Sequence, residues 1–252
     1  MTGDGLFGWL VAAVFIAAVF SFLALLVVTA PYGRHVRPGW GPTVSNRFGW
    51  VLMESPAVVV FAAVYALGDL RAEPVPLVLL GTWMLHYVRR AFIYPFRLRS
   101  ADRRMPLSVA GLGFAFNVLN AYLNARWISH LGPYAGGGGG GVWLWVGTAV
   151  FVGGWLLNGS SDRRLIRLRR PGDAAYRVPR GGGFRFVTCP NYLGEIIEWA
   201  GWALASRSPA ALAFAVFTVA NLAPRALAHH RWYRAEFPDY PSERKALIPF
   251  LL

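Results

Sequence analysis

An ionisable side chain inside an apolar run is costly to keep there, and such residues are commonly functional. The clearest is Glu54, in WVLMESPAVVV (50–60). Two readings stand for it: a carboxyl that acts inside a bundle, or an interfacial residue capping a helix start, where the helix dipole favours an anion. Pro56 fits a first turn or a kink. A second cluster is MLHYVRRAFIYPF (84–96). There His86 and Arg90 are four apart and share a helix face. Tyr87, Arg90 and Tyr94, at i, i+3 and i+7, also share one. Such a stripe can aim phenol and guanidinium groups into a cavity, or it can form an interfacial belt of tyrosines and snorkelling arginines. The third cluster, within 158–199, mixes Asn158, Asp162, Arg169, Tyr176, Arg177, Asn191, Tyr192, Glu195 and Glu198. Guanidinium pairs bidentately with phosphate, aromatic rings stack, and Asn or Asp can hold ribose and amide edges, so this mixture suits a dinucleotide.

Other chemistries lack their residues. The five histidines form no H-x-x-x-H or H-E-x-x-H pattern, so no metal site is expected. No G-x-S-x-G elbow occurs. The Gly136–Gly141 run has no following G-K-[ST] and reads as a flexible linker, and GGGF (181–184) lacks the spacing of a dinucleotide fingerprint. Cys189 is the only cysteine, which excludes an intrachain disulfide. Asn158-Gly159-Ser160 matches a glycosylation acceptor by chance, since it falls at an expected cytoplasmic end.

The elements that position these groups follow from composition. The chain of 252 residues is 56% hydrophobic and only 15% charged, against about 25% charged in an ordinary soluble domain. A membrane bundle is therefore expected. A membrane helix needs about 20 mostly apolar residues, and candidates lie at 6–30, 48–68, 75–95, 106–130, 142–159, 193–206 and 209–229. The first is too long for a signal-peptide core and lacks a basic flank, so it reads as a retained span. The net charge of +13 comes almost wholly from arginine, with Lys245 the single lysine. Arginines crowd segments 31–47, 97–105, 160–190 and the C-terminal tail, while 69–74, 131–141 and 207–208 hold few or none. This alternation places the N-terminus outside and the C-terminus in the cytoplasm, in an all-α membrane protein with seven transmembrane helices and a single domain, 1–252. Because apolar spans separate the basic residues, nucleic acid is not an expected partner; membrane lipid is, and no obligate protein partner is evident. The Arg, Ala and Gly richness suggests a bacterial inner membrane, or the endoplasmic reticulum in a eukaryotic relative.

Three stretches of the C-terminal half resemble a known family. They are NGSSD (158–162), RRPGDAAYRVPRGGGFRFVTCPNYLGEIIEWAGWAL (169–204) and HHRWYRAEFPDYPSERKALIPFLL (229–252). All are similar to the steroid 5α-reductases, the 3-oxo-5α-steroid 4-dehydrogenases. PNYLGEIIEWAGWAL and YPSERKALIPF are long and specific. The N-terminal half is similar at APYGRH (30–35), at Glu54-Ser55-Pro56 and at HYVRRAFIY (86–94). The resemblance implies a seven-helix membrane fold with NADPH entering from the cytoplasmic side. It implies that Glu54 and Tyr87 hold the steroid 3-keto oxygen, with Met53 standing where the family often has Gln. It further implies NADPH contacts at Tyr32, Arg34, Arg90, Tyr94, Asn158, Asp162, Arg169, Tyr176, Arg177, Asn191, Glu195, Arg225, His229 and Tyr233.

The expected reaction is NADPH-dependent reduction of the Δ4 double bond of a 3-oxo-Δ4 steroid such as progesterone or testosterone. Hydride adds at C5 and leaves an enolate on the C3 oxygen, where hydrogen-bond donors stabilise the developing charge; a proton from water or a side chain then reaches C4 and completes the reduction. The alternatives are a trans-2-enoyl-CoA reductase of the same superfamily, a membrane methyltransferase using S-adenosylmethionine, and a small transporter with Glu54 as proton relay. Against the last, no inverted repeat is detected.

Overall fold

The computed structural model describes residues 3–99, 103–169 and 175–252. Among these residues eight α-helices follow one another: α1 (Gly3–Val27), α2 (Asn46–Ala66), α3 (Pro74–Val88), α4 (Tyr94–Arg97), α5 (Leu107–Arg126), α6 (Val142–Leu168), α7 (Pro190–Ser206) and α8 (Pro209–Glu236). Four of them, over Gly5–Val27, Asn46–Ala66, Val142–Leu168 and Pro209–Glu236, are long and apolar enough to cross a membrane. The other three expected spans fall on α3, α5 and α7. Of these, α3 has 15 residues and α7 has 17; α5 carries Asn117, Asn120 and Asn124 among its buried residues.

Several boundaries differ from the hydropathy reading. The first span ends at Val27 rather than 30, and α7 begins at Pro190 rather than 193. The fifth does not stop at 159: α6 continues to Leu168, so Arg163, Arg164 and Arg167 are helical rather than in a loop, and Asn158 lies inside the helix. The seventh likewise runs to Glu236 rather than 229. Hydropathy marks only the apolar part of a helix, whereas Leu and Arg, both good helix formers, carry it further. α3, a π-helical turn at Arg89–Ile93 and α4 follow one another without a gap, and a second π-helical turn, Trp127–Leu131, continues α5. Arg170, counted among the basic loop residues, lies outside the described residues.

A two-stranded antiparallel ribbon, β1 (Thr43–Ser45) with β2 (Arg104–Pro106), ties the starts of α2 and α5 together. Ser45 caps α2 by accepting from the Phe48 amide at 3.2 Å. With both helices leaving one ribbon, Glu54 on α2 and Asn117 on α5 come face to face.

The tightest pairing is α6 on α7. Gly147 and Gly154 of α6 meet Gly194 and Gly201 of α7, each pair seven residues apart, and the backbones touch directly. A Cβ on Gly154 would lie 2.6 Å from the Gly194 carbonyl oxygen, and one on Gly147 equally close to that of Gly201. Small residues permit such an approach between membrane helices. The aromatic core sits beside this seam. Trp83 packs against Phe61 at 4.4 Å, Tyr87 at 4.7 Å, Trp202 at 5.2 Å and Trp199 at 5.3 Å between ring centroids. Its indole N–H donates to the Ala57 carbonyl at 2.8 Å, a group on α2 near Pro56. By contrast, α1 turns apolar side chains outward, with Trp9, Phe20 and Val27 exposed. The C-terminal tail folds back, where the Thr188 amide donates to Lys245 O at 2.8 Å and the Cys189 amide to Ala246 O at 3.1 Å.

Candidate active site

Glu54 is two turns inside α2, beyond the cap that Ser45 already supplies, and is 9% exposed. The helix-capping reading is therefore excluded. One Glu54 oxygen accepts from the Asn117 amide at 3.3 Å, and the same amide donates to the Met53 carbonyl at 2.8 Å. Tyr87, on α3, is 3% exposed beneath Trp83 and Trp199. Asn120 donates to its hydroxyl oxygen at 3.5 Å. The Asn120 carbonyl oxygen is already taken by Asn124 at 2.8 Å, which fixes the amide orientation and leaves the Tyr87 proton available to another acceptor.

Behind this pair lies a buried charge cluster. Arg90 occupies the π-helical turn, and its guanidinium nitrogens reach Glu54 at 3.7 Å, Asp162 at 3.7 Å and Glu195 at 3.8 Å. π-turns frequently mark functional positions; here Arg89 and Arg90 share Asp162, while Arg89 alone reaches Asn158 and Arg90 alone reaches Glu54 and Glu195. Arg89 donates to the Asn158 carbonyl oxygen and lies 4.0 Å from Asp162. Asn158 in turn donates to Asn191 O at 3.0 Å and Glu195 at 3.3 Å, and Asn191 donates to Asp162 at 3.3 Å. His86, one turn from Arg90, pairs with Glu198 of α7 at 2.7 Å in a fully buried contact.

The cluster forms the floor of a cavity at the arginine-rich end of the bundle. Of the residues implied to hold a dinucleotide, Tyr32, Arg34, Arg90, Tyr94, Asp162, Arg169, Tyr176, Arg177, Asn191, Arg225, His229 and Tyr233 line it; Asn158 and Glu195 lie outside the lining, in the hydrogen-bonded layer described above. The walls are cations on rings. Arg225 lies 3.8 Å over Tyr32, Arg34 lies 4.4–5.0 Å over Tyr233, Trp232 and Tyr176, Arg169 lies 5.3 Å over Tyr176, and Arg90 lies over Trp50 at 4.4 Å and Tyr94 at 5.0 Å. Arg34 donates to the Tyr233 hydroxyl at 3.1 Å, and Arg177 to Leu168 O at 2.8 Å. Arg225 donates to the Tyr192 hydroxyl at 3.2 Å. His229 joins His35 at 3.1 Å and the Tyr192 hydroxyl at 3.2 Å. Burial, reinforced by Arg34, Arg225 and Arg37, holds His35 down to about 4, so its ring is uncharged at neutral pH.

The donor set fits an anionic, ring-bearing ligand. Arg34 Nη1 and Arg225 Nε are buried with no hydrogen-bond partner, and among the described residues no carboxylate lies within 4.0 Å of either guanidinium. Leaving buried donors of a charged group unsatisfied is costly, and phosphate oxygens would satisfy both.

The profile of the family described as 3-oxo-5-alpha-steroid 4-dehydrogenase matches residues 103–252. The chain belongs to that family. It is 44% identical over 237 residues to the steroid 5-alpha-reductase DET2 of Arabidopsis thaliana, covering 90% of this chain and 89% of the relative. With DET2 of Gossypium hirsutum it shares 41% over 254 residues, covering 98% and 97%. With the human 3-oxo-5-alpha-steroid 4-dehydrogenase 1 it shares 41% over 223 residues, covering 87% and 85%. The protein is thus a steroid-metabolising oxidoreductase of this family, with helices apolar enough to cross a membrane.

Three elements of this family member's site escaped sequence reasoning. Asn117, Asn120 and Asn124 form the support behind Glu54 and Tyr87; their i, i+3, i+7 spacing in FAFNVLNAYLNAR was the available signal. Arg89, next to Arg90 in the same run, carries no sequence signal of its own. The His86–Glu198 pairing joins residues 112 apart in sequence, and nothing local announces it.

Proposed function

We propose that the protein reduces the Δ4 double bond of 3-oxo-Δ4 steroids to the 5α-dihydro products with NADPH, and that Glu54 and Tyr87 clamp the C3 oxygen. The observation that carries this reading is the position of Arg90, which contacts the Glu54 carboxyl at 3.7 Å on one side and lines the arginine–aromatic cavity on the other. A cofactor ring reaching past Arg90 would come directly against a steroid held beside Glu54, as hydride transfer requires.

NADPH, when bound, supplies the hydride. The chain's residues supply the rest. Arg34, Arg225, Arg169 and Arg177 bind phosphate charge; Tyr32, Tyr176 and Tyr233 pack on planar rings; Asn191 and Asp162 accept and donate at polar edges. Asn158 and Glu195 hold Asn191 and Arg90 in place from below. At the steroid, Tyr87 donates from its hydroxyl, whose proton is directed away from Asn120. Glu54 donates from its acid form. Arg90 contacts Glu54, Asp162 and Glu195, and Arg89 lies beside Asp162, so the cluster holds two cations and three carboxyls; one carboxyl carrying a proton makes it neutral, and the mechanism assigns that proton to Glu54. Both donors strengthen as negative charge develops on the C3 oxygen. Trp83 and Trp199 close the phenol off from water, which strengthens its hydrogen bond.

The names of the relatives support a steroid substrate, with progesterone and testosterone as candidates. Detergent-purified protein should oxidise NADPH with progesterone and not with a trans-2-enoyl-CoA; the reverse preference would overturn the reading. Arg225→Ala should weaken NADPH binding roughly ten- to a hundred-fold, the loss of a charge-assisted hydrogen bond at about 1.5–3 kcal/mol. Titration of the folded variant checks this, and unchanged affinity removes Arg225 from the site.

The same reading includes seven crossings, with α3, α5 and α7 completing the four longer helices, the N-terminus outside and the C-terminus in the cytoplasm. The alternating arginine segments support it. Reporters fused after Leu252 and within Gly136–Gly141 should face opposite sides of the membrane; the same side for both would contradict it.

A further inference from the structure

A second groove runs between α3 and α6, away from the cavity just described. Leu85, Val88 and Leu156 form its apolar walls, and Arg89, Arg97 and Arg163 stand at its other end. On both helices the apolar residues precede the basic ones. The ends coincide in space, because Arg89 reaches Asn158 and Asp162 on α6.

Two like charges converge there. The guanidinium nitrogens Arg89 Nη1 and Arg163 Nη1 lie 3.4 and 3.5 Å from the point where Gly159 would carry a Cβ. Among the described residues no carboxylate lies within 4.0 Å of Arg97 or Arg163, and Asp162, at 4.0 Å from Arg89, is the nearest compensation. Arg97 and Arg163 are exposed. Two further donors in the groove, Arg89 Nε and Trp155 Nε1, are buried with no hydrogen-bond partner. An anion held by three arginines and an indole N–H would relieve both the repulsion and the unmet donors.

The apolar walls say which anion. From Leu85 to Arg97 is roughly 18 Å at about 1.5 Å per residue, close to the half-thickness of a bilayer core, about 15 Å. A free phosphate would use only the basic end.

We propose that this groove binds one anionic phospholipid, its phosphate between Arg89, Arg97 and Arg163 and an acyl chain along Leu85, Val88 and Leu156. The assignment does not depend on the reaction catalysed. Because Arg89 also holds Asn158, an occupied groove would draw on a guanidinium that supports the polar layer beneath the cavity.

The test is native mass spectrometry of the full-length protein in detergent, with equimolar phosphatidylglycerol and phosphatidylcholine of the same chains. Wild type should retain one phosphatidylglycerol in preference. In the double variant R97Q/R163Q that preference should fall roughly ten- to thirty-fold, at about 1 kcal/mol per arginine near a lipid surface. Both side chains are exposed, and an unchanged melting temperature would show that the variant is folded. Equal retention of the two lipids by wild type overturns the proposal whether or not the variant folds, and so does an undiminished preference in the folded variant.

Discussion

Tyr87→Phe is expected to lower steroid reduction about 10²–10³-fold, the usual cost of one donor aimed at a developing oxyanion. The ring keeps its place against Trp83, Trp199 and His86, at centroid distances of 4.7, 5.5 and 4.9 Å, so the fold should not change. Only the hydroxyl that Asn120 holds is lost. Glu54→Gln is the sharper partner experiment. The amide fills the same space and can still donate, but it donates more weakly and cannot carry the acid proton. NADPH binding should survive while reduction collapses. A variant of Glu54 that melts earlier yet turns over like wild type would show that the carboxyl is structural, and that outcome would remove it from the clamp.

The second large effect is on the helix seam. Gly154→Ala should cost about 1–3 kcal/mol of stability, and a larger side chain more, because a well-packed contact must open. The added Cβ would meet the Gly194 carbonyl oxygen and the backbone of Glu198. Pushing α7 away would also strain the His86–Glu198 pair and the Asn158–Glu195 contact. Gly153 supplies the control, since a Cβ there meets nothing within 4 Å. Thermal melting in detergent should show a drop for Gly154→Ala and little for Gly153→Ala; equal effects would mean that the glycine seam is not what holds α6 to α7.

How much of this was legible in the sequence depends on the range of each interaction. Glu54 and the Tyr87–Arg90–Tyr94 stripe were legible because an ionisable residue in an apolar run and a helical spacing are local signals. That Glu54 does not cap α2 was not legible: it required seeing that Ser45 already does so. The π-turn at Arg89–Ile93 has no pattern of its own, and it turns two adjacent arginines, which the sequence presents as a basic helix end, into separate contacts with Asn158 and Glu54. Hydropathy found α6 and α8 but cut them short, because Arg163, Arg164, Arg167 and Arg231 are polar yet good helix formers. The arginine–aromatic cavity was visible as a composition in 158–199. Its other wall comes from Tyr32 and Arg34, and from Arg225, His229 and Tyr233, which lie far away along the chain.

The most direct measurement follows one hydride. With NADPH carrying deuterium at the transferable C4 position and progesterone as substrate, the purified protein should yield the 5α-dihydro steroid with one deuterium at C5, on the α face, for each cofactor oxidised. The same label in Tyr87→Phe should appear at the same carbon but about 10²–10³-fold more slowly. Deuterium at another carbon, or cofactor oxidation with the steroid unchanged, would contradict the account.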